Sequence, residues 1–298
     1  MPTLQEIGTR LAGGEPLNSP DCEAVVASSD LLGLGALADD CRRRRHGDRV
    51  TFVRVQQIQA DALGVQELAV LPAARELRIA GPLPAGRDVV RSVECAVSAA
   101  GAIPVTGFAL DDLVERNASD TSAVADVLAA LRGAGLSALA EARADRLSGP
   151  QWLEAAGNAG LKIARLTVGE PAAEDAGAVL IRRVAGWGGA LAQVHAFAPL
   201  PRNLPPQPTT GYRDLRQVAL ARLLVDNVDS IQVDWSLYGP KLAQVALIFG
   251  ASDVDAVSAE DGGTLGARRA PLAEIVRNIR ASGLVPVERD GRFEHVGT

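Results

Sequence analysis

The stretch from residue 214 to residue 260 constrains this chain more than any other. Its first part reads as a helix from 214 to about 226, in which Leu215, Val218, Ala219, Leu220, Leu223 and Leu224 cover most of the circumference. A surface helix shows a single apolar stripe, so this one is buried on several sides. SIQVD at 230–234 alternates Ile231 and Val233 with polar neighbours and suits a short strand. Gly239 and Pro240 then open a second helix, with proline placed where its missing N–H costs nothing. That helix, KLAQVALIFG, is apolar except at Lys241 and Gln244, which stand three residues apart and share a face near its N-terminus. In a β/α barrel this block puts Asp234, Trp235, Tyr238, Lys241 and Gln244 at the mouth, where strands end and helices begin.

The rest of the chain keeps the same alternation. VTFVRVQ at 50–56 is a strand by its β-branched, alternating pattern. Segments 67–71, 76–79, 103–108, 136–139, 161–168, 190–197 and 285–287 read as further strands. Helices are expected at 88–99, at 121–132 (started by Asp120 or Ser119), from 150 to 156 and at 271–281. Residues up to about 40 look helical. Gly33, Gly35 and Ala38 superficially match a dinucleotide fingerprint, but Ser28-Ser29-Asp30 precede them where a strand is required. The fold class expected is therefore α/β: a mainly parallel (β/α) barrel over 1–298, with 1–45 an N-terminal helical segment and 270–298 a C-terminal helix and strand extension.

A formal net charge of −6 argues against a nucleic-acid or anionic-membrane partner. The run Arg42-Arg43-Arg44-Arg45 is read as a solvated helix end favoured by the helix dipole, not as a phosphate-binding patch. No apolar run reaches the ~20 residues that span a bilayer. Glu6 and Gly13 stand where a signal peptide needs its apolar region, so a cytoplasmic protein is expected. Cys22, Cys41 and Cys95 show no metal-ligand spacing and read as reduced, packed thiols.

Four segments together carry a family resemblance: HGDRVTF (46–52), LRQVALARLLVDNV (215–228), GPKLAQVALIFGASDVDAV (239–257) and IRASGLVPVERDGRF (279–293). In this order they resemble the radical S-adenosylmethionine enzymes of the futalosine route to menaquinone, such as aminofutalosine synthase and dehypoxanthine futalosine cyclase. The resemblance implies a radical-SAM-like barrel. In that family the strand matching 50–56 leads into C-x3-C-x2-C, whose thiolates hold a [4Fe–4S] cluster. Here residues 58–66 read IQADALGVQ, without one cysteine. The chain thus resembles a degenerate member: no cofactor and no [4Fe–4S] cluster are expected, and S-adenosylmethionine binding is left with weak support. Leu63 and Val65 are expected to fold inward over the place the cluster would fill.

The remaining candidates are ligand-binding residues with no catalytic assignment. By the resemblance Glu141 and Glu170 fall at strand C-termini where the family binds S-adenosylmethionine or substrate, and Glu260 is a retained downstream acid. Thr167 is expected to line a residual polar cavity with Glu141, Glu170, Asp234 and Lys241. His195, inside a predicted strand, reads as a packed barrel histidine before a base. Arg202 suits a substrate carboxylate. Asp234 and Lys241 are expected to pair across the mouth. Asp253, Asp255 and Glu260 offer a weak divalent site that no histidine supports, so no metal is expected. Two functions stay open. One is a non-catalytic binding or assembly partner of a menaquinone-pathway enzyme, or of a second copy of itself. The other is an enzyme of polar chemistry on a small anionic aromatic or nucleoside ligand. An enzyme must bring Glu141, His195, Arg202, Asp234 and Lys241 together, whereas a partner need not.

Overall fold

A computed structural model describes residues 1–64, 68–86, 88–170, 176–203, 211–260 and 271–297. Eight parallel strands follow one another around a closed barrel: β1 (Arg49–Gln59), β2 (Glu76–Ala80), β3 (Val105–Ala109), β4 (Ala138–Arg143), β5 (Lys162–Val168), β6 (Val194–Pro201), β7 (Ser230–Asp234) and β8 (Asp253–Ser258). Closure comes from β1, which pairs with β8 on one edge and with β2 on the other. A ninth strand, β9 (Val285–Glu288), takes the lower part of that second edge. It pairs with Arg49–Phe52, while β2 pairs higher up, from Val55 to Gln59.

Helices separate the strands as crossovers, because parallel neighbours cannot be joined by tight turns. Those that position the site are α5 (Leu110–Arg116), α9 (Tyr212–Leu224) and α10 (Trp235–Leu247). Three more, α1 (Leu4–Ala12), α2 (Ser19–Ala27) and α3 (Leu31–His46), precede the barrel, and α3 packs along α9. Gly35 lets α3 also approach the segment that follows α10. A Cβ on Gly35 would come within 2.6 Å of the Phe249 ring.

Where a strand is buried on both faces its limits are hard to read, and the differences fall there. The segment expected as a strand at 67–71 has none from Leu68 to Leu71 (Glu67 lies outside the described residues). The Gln56 side chain instead bonds Ala69 O at 2.9 Å and the Leu71 amide at 2.8 Å. β6 begins at Val194, not at 190, because Gly188–Gln193 forms a 3-10 turn first. α10 starts earlier than Gly239-Pro240. Asp234 caps it by accepting from the Leu237 amide at 3.0 Å, and Gly239 then breaks it at φ 74°, ψ 168° before Pro240 restarts it. Its later half is one-sided: Leu247 is buried, whereas Val245 and Ile248 are exposed.

The arginine run is a solvated helix end at Arg43, Arg44 and Arg45, which are exposed in the last turn of α3, but not at Arg42. Arg42 is fully buried and bonds Asp39 and Gly47 O. Arg43 meets Asp39 and Asp48, Arg44 donates to Leu11 O, and Arg45 to Val228 O at 3.2 Å. Leu63 is half-buried against the core, beside Cys95 and Ala99, while Val65 lies outside the described residues. Among the described residues no helix is long and apolar enough to cross a membrane.

Candidate functional site

Alternate residues of each strand face the barrel axis, and here many of them are charged. They form three tiers. Near the N-terminal ends of the strands, Asp253 accepts from Arg289 Nε at 2.6 Å and Nη2 at 2.7 Å, from Gln232 at 2.6 Å and from Thr51 at 2.5 Å. One turn of the pleat higher, Asp255 takes two bonds from Arg78, at 3.0 and 2.8 Å, and one from Arg165 at 2.5 Å. Arg78 also meets Glu76 at 2.7 Å, and Thr106 donates to the same carboxylate at 2.6 Å. β2 and β5 are thus tied to β8 through the axis of the barrel.

These groups are almost wholly buried, so their charges stand only because each has partners. Burial opposes ionisation of Asp255, but Arg165 and Arg78 outweigh it and hold the carboxyl well below its usual range. Arg78 is likewise held charged against burial by Asp255 and Glu76. Arg165 is the disfavoured member: burial and the neighbouring Arg78 lower its pKa despite Asp255.

The third tier is the mouth. Arg202, just past β6, meets Asp234 at 2.6 Å and stands 3.7 Å from Glu141 Oε2 at the end of β4. Burial works against Arg202, while Asp234 and Glu141 raise its pKa. Asp234 is fully engaged, its other oxygen accepting from Ser236 and from the α10 backbone. Glu141 is not: its Oε2 is buried and has no hydrogen-bond partner. Tyr238 donates to Pro201 O at 2.7 Å beside them. Thr167 is buried in the same wall and spends its hydroxyl on Ala142 O at 3.4 Å.

Of the residues the sequence singled out, Glu141, Arg202 and Asp234 converge. Glu170 is exposed and bonds Asn203, on a loop that Asp145 pins through the Gly169 and Glu170 amides. Glu260 is exposed just past β8. Lys241 is exposed and has no ion pair among the described residues, so Asp234 pairs with Arg202, not with Lys241. His195 lies at the opposite end of the barrel. Because β6 starts at Val194, His195 is near its N-terminal end, stacked on Phe293 with ring centroids 4.7 Å apart. Burial, with Lys162 and Arg289 adding to it, lowers its pKa to about 4. Asp253 and Asp255 do not gather with Glu260 into a cation site, since arginines occupy both. Among the described residues no group of three or more such side chains could hold a metal ion.

Arg78 and Arg165 were missed. Their signal was present: each is a charge flanked on both sides by apolar residues within its strand, Leu77-Arg78-Ile79 and Ala164-Arg165-Leu166, which in a barrel means an inward-facing ion. The thiols do not gather either. Cys22, Cys41 and Cys95 lie on α2, α3 and α4 (Asp88–Ala100), and the turn after β1, Ala60–Ala62, carries none. The donor set for a three-thiolate cluster is therefore missing where the family places it.

A closed barrel of eight parallel strands joined by crossover helices defines a β/α barrel protein. Methylornithine synthase superimposes with a TM-score of 0.65 at 14% identity, covering 95% of this chain and 97% of that one. At that identity the likeness is one of fold. Sequence places the chain further: residues 204–297 match the CofH/MqnC C-terminal region. Aminodeoxyfutalosine synthase of Thermus thermophilus is 39% identical over 93 residues, 30% of this chain and 25% of that protein. The 5-amino-6-(D-ribitylamino)uracil–L-tyrosine 4-hydroxyphenyl transferase of Methanoculleus marisnigri is 28% identical over 326 residues, 89% of this chain and 86% of that protein. The chain is thus similar to the CofH/MqnC C-terminal region and to synthases of the futalosine route, and it spans only about a quarter of the length of the curated relatives it matches first.

Proposed function

We propose that this chain is a cluster-less paralogue of aminofutalosine synthase, linked to menaquinone biosynthesis, that acts as a non-catalytic binding or assembly partner of a pathway enzyme. The observation that carries the reading is the loop after β1, which has no cysteine from residue 60 to residue 75. Without three thiolates there is no cluster to supply the electron that cleaves the sulfonium bond of S-adenosylmethionine. The Arg78–Asp255–Arg165 bridge supports it, because it crosses the axis with ion pairs where a reacting substrate needs room. The chain carries no cofactor of its own in this reading, and its partner is a pathway enzyme or a second copy of itself.

Anaerobic reconstitution with iron and sulfide tests the chemistry. No charge-transfer absorption is expected near ~400 nm, the region of thiolate clusters, and a stoichiometric cluster would overturn the reading. Co-elution of the purified chain with an aminofutalosine synthase on a sizing column tests the partnership.

One observation favours the second reading, an enzyme of polar chemistry: Glu141 Oε2 is left without a hydrogen bond beside Arg202 at the mouth. A ligand with an N–H or O–H donor and an acceptor oxygen, such as a hydroxylated aryl carboxylate or a nucleoside, would satisfy both groups. Calorimetry with such ligands and with S-adenosylmethionine, repeated on Arg202→Ala and Lys241→Ala, separates the readings. Binding lost with Arg202 supports the second, and no binding leaves the first.

A further inference from the structure

A cavity of about 350 Å³ lies on the opposite side of the molecule from the mouth, between the N-terminal helices and the end of α9. Three arginines line it: Arg44 and Arg45 from α3, and Arg222 from α9. Arg42 and Arg43, their neighbours in sequence, each have a carboxylate partner. Arg44, Arg45 and Arg222 have none among the described residues, and bond only carbonyls and one hydroxyl. In a chain of net charge −6, with carboxylates outnumbering cations, three such guanidinium groups around one cavity call for a counter-ion.

Arg222 sharpens the point. It is 2% exposed, with its Nε, Nη1 and Nη2 each held at 2.9 Å by Gly250 O, Asp229 O and Ser252 Oγ. Burial, with Arg45 adding to it, lowers its pKa to about 9 although Asp229 works the other way, the cost of a buried cation with no carboxylate in contact. A guanidinium has five N–H donors, so each of the three keeps donors to spare.

We infer that this cavity binds a phosphate monoester. Several acceptor oxygens facing planar donor forks is the chemistry that arginine clusters select. The walls argue for an ester over a free ion, since Leu11, Leu17 and Leu223 offer apolar surface to a carbon body. Cys22 and Cys41 stand there as neutral thiols, their pKa values raised by burial. Glu15 and Asp226, exposed at the rim, oppose anything more negative than the roughly −2 of a monoester. The site is separate from the mouth and stands whether or not the proposed partner role does.

The test is calorimetry on the full chain with inorganic phosphate, glycerol 3-phosphate and adenosine 5′-monophosphate, at ionic strength fixed with sodium chloride. At least one ester binds saturably and more tightly than inorganic phosphate, and Arg44→Gln and Arg45→Gln each weaken it about tenfold, the loss of one charge-assisted contact. Both arginines are exposed, so the variants fold. The unmodified chain gives an independent readout: glycerol 3-phosphate slows alkylation of Cys22 and Cys41 but not of Cys95, which lies beside Gly64 in another hollow. No saturable heat from either ester overturns the inference, as does binding indifferent to both substitutions.

Discussion

Asp255→Asn removes the anion that Arg78 and Arg165 share. The variant keeps the shape of the side chain and leaves two guanidinium groups facing each other at 4% and 3% exposure. Removing one partner from a buried ion pair costs about 3–5 kcal/mol, because the remaining charge is stranded. For 298 residues the entropy of unfolding is about 0.6 kcal/mol per degree, so the melting temperature at pH 7 falls by about 5–8 °C. The difference is pH-dependent with a definite sign. The folded pKa of Asp255 lies well below its ordinary value, so its contribution is whole above the unfolded carboxylate pKa and fades as acid protonates it. The gap between parent and variant therefore narrows below about pH 4. Adding Arg165→Met to the variant should recover part of the loss, since Arg165 is the cation the site least supports. Removing Glu115, which pairs with Arg146 on the surface at 70% and 39% exposure, serves as the control and costs under about 1 kcal/mol. A variant that melts within about 1 °C of the parent would refute the idea that the axial bridge holds the barrel together.

Leu247→Asp, which buries a charge without a partner at a position 1% exposed, is expected to cost several kcal/mol, or roughly 3–5, read by denaturant titration. Ile248→Asp, one residue on but exposed, should be nearly neutral, and equal effects would mean that α10 is oriented differently. Gly35→Leu drives its side chain into Phe249 and should destabilise by about 1–3 kcal/mol or more by thermal melt. His195 should stay neutral down to about pH 4 in NMR titration, and its folded pKa below the ordinary value makes the fold lose stability as pH falls from the unfolded pKa towards it. An imidazole that titrates above pH 6 would remove His195 from its place against Phe293.

The strands that the sequence predicts best are those in which β-branched residues recur at alternate positions, such as 50–56 and SIQVD. β6 shows why the others slip. ALAQVHAF is apolar from its first residue, and nothing in Ala190 or Leu191 says that the chain is still turning there. A shift of four residues along one strand moved His195 from the mouth to the floor of the barrel, while Arg202, fixed by the prolines before it, stayed where it was expected. The mouth was legible through Glu141, Arg202 and Asp234 because strand ends are marked by a change of composition. Its pairing was not, because Lys241 and Arg202 are equally plausible partners for Asp234 until distance decides. The axial arginines went unread for a different reason: a charge flanked by apolar residues within a strand looks like an exception to the hydrophobic pattern, when in a closed barrel it is an ion whose partner lies across the axis.

β9 and the residue after it have a consequence for the order in which this molecule can form. Strand β1 leaves the ribosome early, yet its lower edge is completed by Val285–Glu288, and Asp253 finds its guanidinium only at Arg289. Until that segment is made, a nascent barrel holding β1 to β8 would enclose an aspartate with no cation. Closure must therefore wait for almost the entire chain, and folding is dominated by contacts distant in sequence, which makes it slow. A chain interrupted before Arg289 would be a poor folder with most of its core already synthesised, and its unfinished edge at β1 would be open to pairing with other chains.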